Sequence, residues 1–317
     1  PLRKAEEAAA KLGTVAAAFE GDAFADLNTA RFEDGALLFV PRGVKVEAPL
    51  HLLSLTQGEG VLAQPRLLLI LERGAEARLV EDHQGTGRSL VNTVVEIHLA
   101  EGALLHHERV QRDDAAAFHV SNLYAQVGRD AQYQSRTLTF GAKLSRQNPH
   151  VHLEQGASAT LDGLALLSAD QVADTHSFMH HAQPHGTSRQ LHKCIVDGTA
   201  RAIFNGRVLV DKHAQVTDGQ QQVRTLLLSD TARVDAKPQL EIHADDVKCS
   251  HGAAIGQLDP EELFYLRSRG MNEALARNLL TYGFAADLLA HVPVTSLRRA
   301  LRALVLARTH GEGLGDL

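Results

Sequence analysis

One short pattern recurs between residues 71 and 234 and limits what the chain can fold into. An aliphatic residue is followed by two polar or small residues, a turn residue, Ala, any residue, and then a small or apolar one. "LERGAEA" at 71, "LAEGALL" at 99, "VGRDAQY" at 127 and "LEQGASA" at 153 fit it, as do "VDGTARA" at 196, "VDKHAQV" at 210 and "LSDTARV" at 228. Each copy reads as a bend between two short strands. The flanking apolar residues point inward, and Ala occupies a corner where stacked chain leaves little room. The first three intervals are 28, 28 and 26 residues, and the later ones are irregular. Strand-plus-bend units that stack on their neighbours give a β-solenoid. An antiparallel sandwich, whose short strands are also evenly spaced, satisfies the same punctuation.

Helical signals flank this body. "PLRKAEEAAAKLG" at the start reads as a helix stopped by Gly13, and "AAAFEGDAFADLN" as a second short one. Beyond Gly256, "LDPEELFYLRSRGM" offers Asp259 as N-cap, Pro260 in the first turn, Glu262 to close a capping box and Gly270 as the stop. A helix capped by Asn272, with Leu275, Leu279 and Leu288 on one stripe and Pro293 beyond its end, follows, and "SLRRALRALVLART" makes a third. The expected organisation is a helical segment over 1–30, a β body over 31–257, a helical domain over 258–310 and a flexible tail over 311–317. Pro1 stands where a Met would open a native chain, so a truncated start is expected.

A net charge of -6 excludes a general nucleic-acid binder, which needs a basic surface. The longest apolar run, "LLLIL" at 67–71, is strand-sized, so no membrane insertion is expected. Two cysteines cannot build a disulfide framework, and a cytoplasmic setting follows.

Chemistry-bearing residues concentrate late in the chain. In "EIHADDVKCSHGAAIG", Cys249 and His251 are two apart, so on a strand both leave the same face. A thiolate beside an imidazole suits iron or zinc, and the imidazole could also activate the thiol. The alternative is a buried structural Cys next to an exposed His. His192 and Cys194 repeat the spacing, and adjacency of the two strands would give a Cys2His2 set. "DTHSFMHHAQPHGTSRQLHK" holds His176, His180, His181, His185 and His192, a metal-binding or polar patch or simply a polar strand. Asp245 and Asp246 are adjacent and point to opposite faces of a strand, which fits a turn rather than an acid–base pair. No Walker A motif, dinucleotide fingerprint, Gly-x-Ser-x-Gly elbow or His-Glu-x-x-His is present, which favours a scaffold over an enzyme.

The stretches "SRQLHK", "RAIFNGRVLV", "HAQVTDGQ", "KPQLEIHADDVKCSHGAAIGQLD" and "LFYLRSRGM" run in order through the C-terminal half. In them the chain resembles the SufB/SufD family of iron–sulfur cluster assembly proteins, in its SufD branch. A looser likeness reaches back through "LSRQNPHVHLEQGASATLDGLAL" to "PRLLLILERGAEARLVED". SufB-like chains carry Glu and His in place of the Cys-x-His pair, and a Cys before the Pro that matches Pro238, where this chain has Ala232.

The resemblance implies a right-handed parallel β-helix with flanking helices, acting as a non-catalytic scaffold subunit. It implies pairing with SufB through the β-helix and binding of the ATPase SufC through C-terminal helices. Phe264, Tyr265, Arg267 and Arg269 are then the SufC contacts, or Arg267 and Arg269 alone if Leu263, Phe264 and Leu266 pack the helix onto the end of the β body. Cys249 and His251 would lie at the SufB interface, where a transient iron or iron–sulfur cluster is shared and none is bound stably by the isolated subunit. An isolated subunit is expected to pair with itself, since a face made for a similar fold fits a second copy. The N-terminal region is shorter than the family's, and Cys194 is not part of its pattern. A SufB-like scaffold, a metal-dependent enzyme using the His-rich strands and a carbohydrate-active β-helix enzyme are the rivals. The last needs a groove of aromatic or acidic residues, against an aromatic content of 4%.

Overall fold

The structure, a computed structural model, describes residues 10–19, 21–292 and 294–308. Its body is two parallel sheets. One stacks β1 (Gly35–Val40), β4 (Arg66–Leu71), β6 (Ser89–Leu99), β8 (Phe118–Val127), β10 (Leu144–Leu153), β12 (Val172–His181), β14 (Arg201–Val210) and β16 (Arg233–Ile242), with the short β3 (Val61–Ala63) beside β6. The other stacks β2 (Leu50–Gln57), β5 (Glu76–Thr86), β7 (Leu104–Arg112), β9 (Gln132–Thr139), β11 (Ser158–Leu167), β13 (Thr187–Val196), β15 (Thr217–Leu227) and β17 (Val247–Gly256).

From β4 onward consecutive strands alternate between sheets, and each long strand pairs in parallel with the strand one coil away. Leu90 lies against Phe118, Phe118 against Leu144, Leu144 against Val172, Val172 against Arg201 and Arg201 against Arg233. The chain therefore winds as a parallel β-solenoid with a coil of 26 to 32 residues. The parallel pairing excludes the antiparallel sandwich.

The repeated bends are the corners of this solenoid. In all seven copies the Ala amide donates to the carbonyl three residues earlier, as Ala75 does to Glu72 and Ala131 to Gly128. Ala75, Ala103, Ala131, Ala157, Ala200 and Ala214 are fully enclosed, and Ala232 nearly so. Gly74, Gly102 and Gly156 hold positive φ at the turn position, which costs glycine nothing. Between the sheets, Leu69, Leu71, Val95, Ile97, Leu123, Val127 and Leu153 fill the lumen.

The outer faces are covered unequally. Outside the second sheet, Val110, Leu138, Leu164 and Ile195 pack against Ala285, Leu288, Val292, Leu301 and Val305 of the C-terminal helices. Lys193 projects from β13 into this interface, and its Nζ donates to both carboxylate oxygens of Asp287 at 2.7 Å and to the Phe284 carbonyl at 2.8 Å. Outside the first sheet, Val15, Phe19 and Ala25 pack on Val94 and Tyr124.

The sequence-predicted helices need adjustment. Most of the first expected helix lies outside the described residues, and 10–15 form turns. The second is split into a 3-10 turn, Ala16–Ala18, and a helix, Ala23–Arg31, because the Asp22 carboxylate restarts the helix by accepting from the Phe24 and Ala25 amides. Helices Pro260–Ser268, Glu273–Ala290 and Thr295–Arg308 match the three C-terminal signals. Asp259 caps the first by accepting from the Glu261 amide, and Gly270 ends it at φ 92. The buried stripe of the second runs through Ala276, Ala285, Leu288 and Leu289, with Leu275 and Leu279 only half-buried. Pro293 and the tail beyond 308 lie outside the described residues.

Candidate functional site

Among the described residues no strand covers the C-terminal end of the solenoid. β16 and β17 are the last strands of their sheets, and no further strand pairs with their free edges among the described residues. An unpaired strand edge is a template for another chain. The alternation that fills the lumen in earlier coils continues here with nothing above it. Ile242 and Ile255 are large aliphatics that are 38% and 52% exposed on the lumen-facing side.

Cys249 and His251 stand on this terminal strand. Cys249 is in register with Gly219 and His251 with Gln221, both lumen-facing residues of β15, so the two share a face, as their spacing required. Their environments differ. Cys249 is half-buried, and the missing side chain at Gly219 makes its room: a β-carbon there would lie 3.3 Å from Cys249 Sγ, 3.4 Å from Ser188 Oγ and 3.9 Å from His181 Nε2. Burial pushes the Cys249 thiol above its ordinary value, with a backbone hydrogen bond from Gly219 pulling the other way. Burial thus works against activation of the thiol. His251 is exposed at the open end. Beneath it, Gln221 donates to Gln190 at 2.8 Å while its Oε1 is buried and unpartnered.

The other sequence candidates scatter. His192 and Cys194 also face the lumen, but Cys194 is in register with Thr225 and, one coil further, Ile255. Cys249 lies six residues earlier on that strand, roughly 20 Å at 3.3 Å per residue, so no Cys2His2 set forms. Burial holds the Cys194 thiol up at about 12 and pushes His192 down to about 4. His176 and His180 project from the outer face of β12 into a cavity of about 540 Å3, His181 is enclosed in the lumen, and His185 sits in a corner at φ 65. The five histidines of that run are thus divided among three environments: the outer cavity, the lumen and a corner. Asp245 and Asp246 form the bend between β16 and β17. Sequence reasoning missed His150 and His152, which line the same outer cavity; the signal was "NPHVHL", where alternate histidines share a strand face.

The expected partner helix presents an aromatic pair to solvent. On Pro260–Ser268, Phe264 is 74% and Tyr265 57% exposed, while Leu263 and Leu266 turn inward. Arg269 lies 5.1 Å over the Tyr265 ring, and Arg267 reaches Glu273 at 3.4 Å. The two leucines are half-buried, and the helix rests against helix Glu273–Ala290 rather than on the strands.

Residues 54–284 match the family described as SUF system FeS cluster assembly, SufBD core domain. The chain belongs to the SufBD family. It is 41% identical over 301 residues to the iron–sulfur cluster assembly SufBD family protein slr0076 of Synechocystis, covering 91% of this chain and 66% of that one. It is 35% identical over 301 residues to the iron–sulfur cluster assembly protein SufD of Escherichia coli, covering 93% and 71%, and 35% identical over 308 residues to the chloroplastic protein ABCI7 of Arabidopsis thaliana, covering 93% and 63%. The chain thus spans about two thirds of these relatives. The matched domain is described as belonging to the SUF system of FeS cluster assembly, and the Synechocystis and Escherichia coli relatives are named as iron–sulfur cluster assembly proteins. No helix of the described residues is long and apolar enough to cross a membrane.

Proposed function

We propose that the chain is a non-catalytic, cytoplasmic scaffold subunit of the SUF machinery whose open solenoid end is a half-site completed by SufB. The observation that carries this reading is the coincidence of three features on one coil: unpaired edges on β16 and β17, exposed lumen-facing aliphatics, and the Cys249–His251 pair. Strand addition across these edges would continue both sheets and bury Ile242 and Ile255. It would also enclose His251 with groups from the partner, which supply the remaining ligands to a transient iron ion or nascent cluster. That cluster is cargo, so a stable cofactor of the isolated chain is not part of this reading. His251 is the ligand or interface organiser. Cys249, with its thiol protonated, lies behind it and is drawn on when the partner changes its surroundings.

The exposed Phe264–Tyr265 pair, flanked by Arg267 and Arg269, has the composition of an interface anchor and is the proposed contact for SufC. Without a partner, the same edges fit a second copy of this chain, and the isolated subunit is a homodimer in this reading.

The test is His251→Ala in cells that depend on this machinery, with SufB and SufC recovery measured in parallel. Complex recovered with cluster maturation lost supports the half-site. Normal maturation refutes the role of His251, and loss of SufB from an otherwise folded variant reassigns the residue to assembly alone.

A further inference from the structure

The outer cavity on the first sheet is separate from the open end, and two of its histidines meet. His152 on β10 and His180 on β12 are lateral neighbours in register, and their Nδ1 atoms lie 3.1 Å apart with the rings at 77°. His180 Nε2 lies 2.9 Å from Asp211 Oδ2. A carboxylate can only accept, so that nitrogen carries the His180 proton and Nδ1 is left with a bare lone pair. The proton between the rings therefore belongs to His152, and a tautomer shift to its Nε2 frees a second lone pair beside the first without net proton release.

We propose that His152 and His180 form a binding site for a borderline divalent transition-metal ion such as Zn2+, Ni2+ or Co2+. With metal–nitrogen bonds of about 2.0–2.1 Å, donors 3.1 Å apart subtend about 95–100° at the ion, between octahedral and tetrahedral values. Imidazole is a preferred donor for these metals. Asp211 supplies the carboxylate that orients a ligating histidine through its other nitrogen. Among the described residues no group of three or more His, Cys, Asp or Glu side chains is placed to hold a metal ion, so the two imidazoles leave the remaining positions to water or to a ligand entering the cavity. His176 lines the same cavity but is turned to Asp174, its Nε2 2.9 Å from Oδ1, and is not part of the site.

The test uses the untagged chain, titrated with Ni2+ by calorimetry and with Co2+ by visible absorption. One equivalent is expected to bind with nitrogen-type Co2+ bands. His152→Ala and His180→Ala each weaken it by roughly tenfold or more, and Asp211→Asn, which spares the ligands, weakens it by about tenfold. His176→Ala and His251→Ala leave it unchanged, and matching thermal midpoints show that the variants are folded. The proposal is overturned by absence of uptake at millimolar metal, by undiminished affinity in either ligand variant, or by loss of binding in His251→Ala instead.

Discussion

The apolar interface between the C-terminal helices and the solenoid encloses one buried charge, Lys193, and removing its partner should loosen the helices more than removing the charge itself. The Lys193 side chain is 5% exposed, and its ammonium has three acceptors: the two Asp287 carboxylate oxygens and the Phe284 carbonyl. Breaking a fully buried pair from one side costs about 3–5 kcal/mol, because a charge is left uncompensated. Asp287 is 49% exposed and the Phe284 carbonyl remains, so solvent and that bond recover part of the loss. Asp287→Ala should therefore cost about 2–3 kcal/mol. Lys193→Met removes the charge while keeping most of the volume over the Phe284 ring, which now lies 4.9 Å from Nζ, and should cost less than about 1 kcal/mol. Urea unfolding measures both, and limited proteolysis near Gly270 reports whether the helices detach first. A Lys193→Met loss equal to that of Asp287→Ala would show that packing, not charge compensation, holds the interface, and the reasoning would be refuted.

Acid should weaken the lumen. His192 is pushed down to about 4 by burial, so below pH 6.5 the unfolded chain takes up a proton that the folded chain refuses. Its stability contribution is whole above that pH and declines towards pH 4. Between pH 7 and pH 5 the chain should lose about 2 kcal/mol more than His192→Leu does, measured by urea midpoints at both pH values, and parallel profiles would remove the basis for this. The Cys249 thiol, raised by burial, should alkylate with iodoacetamide at pH 8 more slowly than a free cysteine, and Cys194 only on unfolding; rapid modification of Cys249 would contradict its placement. At the corners, Ala103→Leu should cost about 1–3 kcal/mol by thermal melting, since no space surrounds a fully enclosed methyl; an unchanged midpoint would show that the corners are not close-packed.

The seven bends were legible in the sequence because each needs Ala at an enclosed turn, a requirement local to six or seven residues. Their irregular spacing was not, because a solenoid of two sheets has two corners per coil. The copies at 71, 99, 127, 153 and 210 carry the chain from the first sheet to the second, whereas those at 196 and 228 carry it back. The corner after His181 is built as "HAQPHGT", with His185 at positive φ, and escapes the pattern although it falls on the regular 28-residue step from 153. The shared face of Cys249 and His251 was readable from parity. Separation of His176 and His180 from His192 was not, since strand membership is decided by the corner between them. The His152–His180 contact depends on lateral register, which nothing within either strand specifies.

Two lumen columns explain why the open end is chemically different from the rest of the solenoid. Following register across the second sheet, one column runs Leu161, Gln190, Gln221, His251, and its neighbour runs Ala159, Ser188, Gly219, Cys249. Each passes from apolar to polar or small as the terminal coil is approached. A buried polar residue is tolerated when a neighbouring coil supplies its partner, as the preceding coil's Gln190 does for Gln221. Gln221 Oε1 is unpartnered, as is Gln190 Nε2 one coil earlier, and Gln221 is in register with His251 on the last strand, so the column reaches the open end incompletely satisfied. For a solenoid that stopped there alone, a column closed by Leu or Val would be more stable. A polar column ending in an exposed imidazole is economical where another chain completes it, which favours the proposed half-site at His251 over a site complete in the isolated subunit.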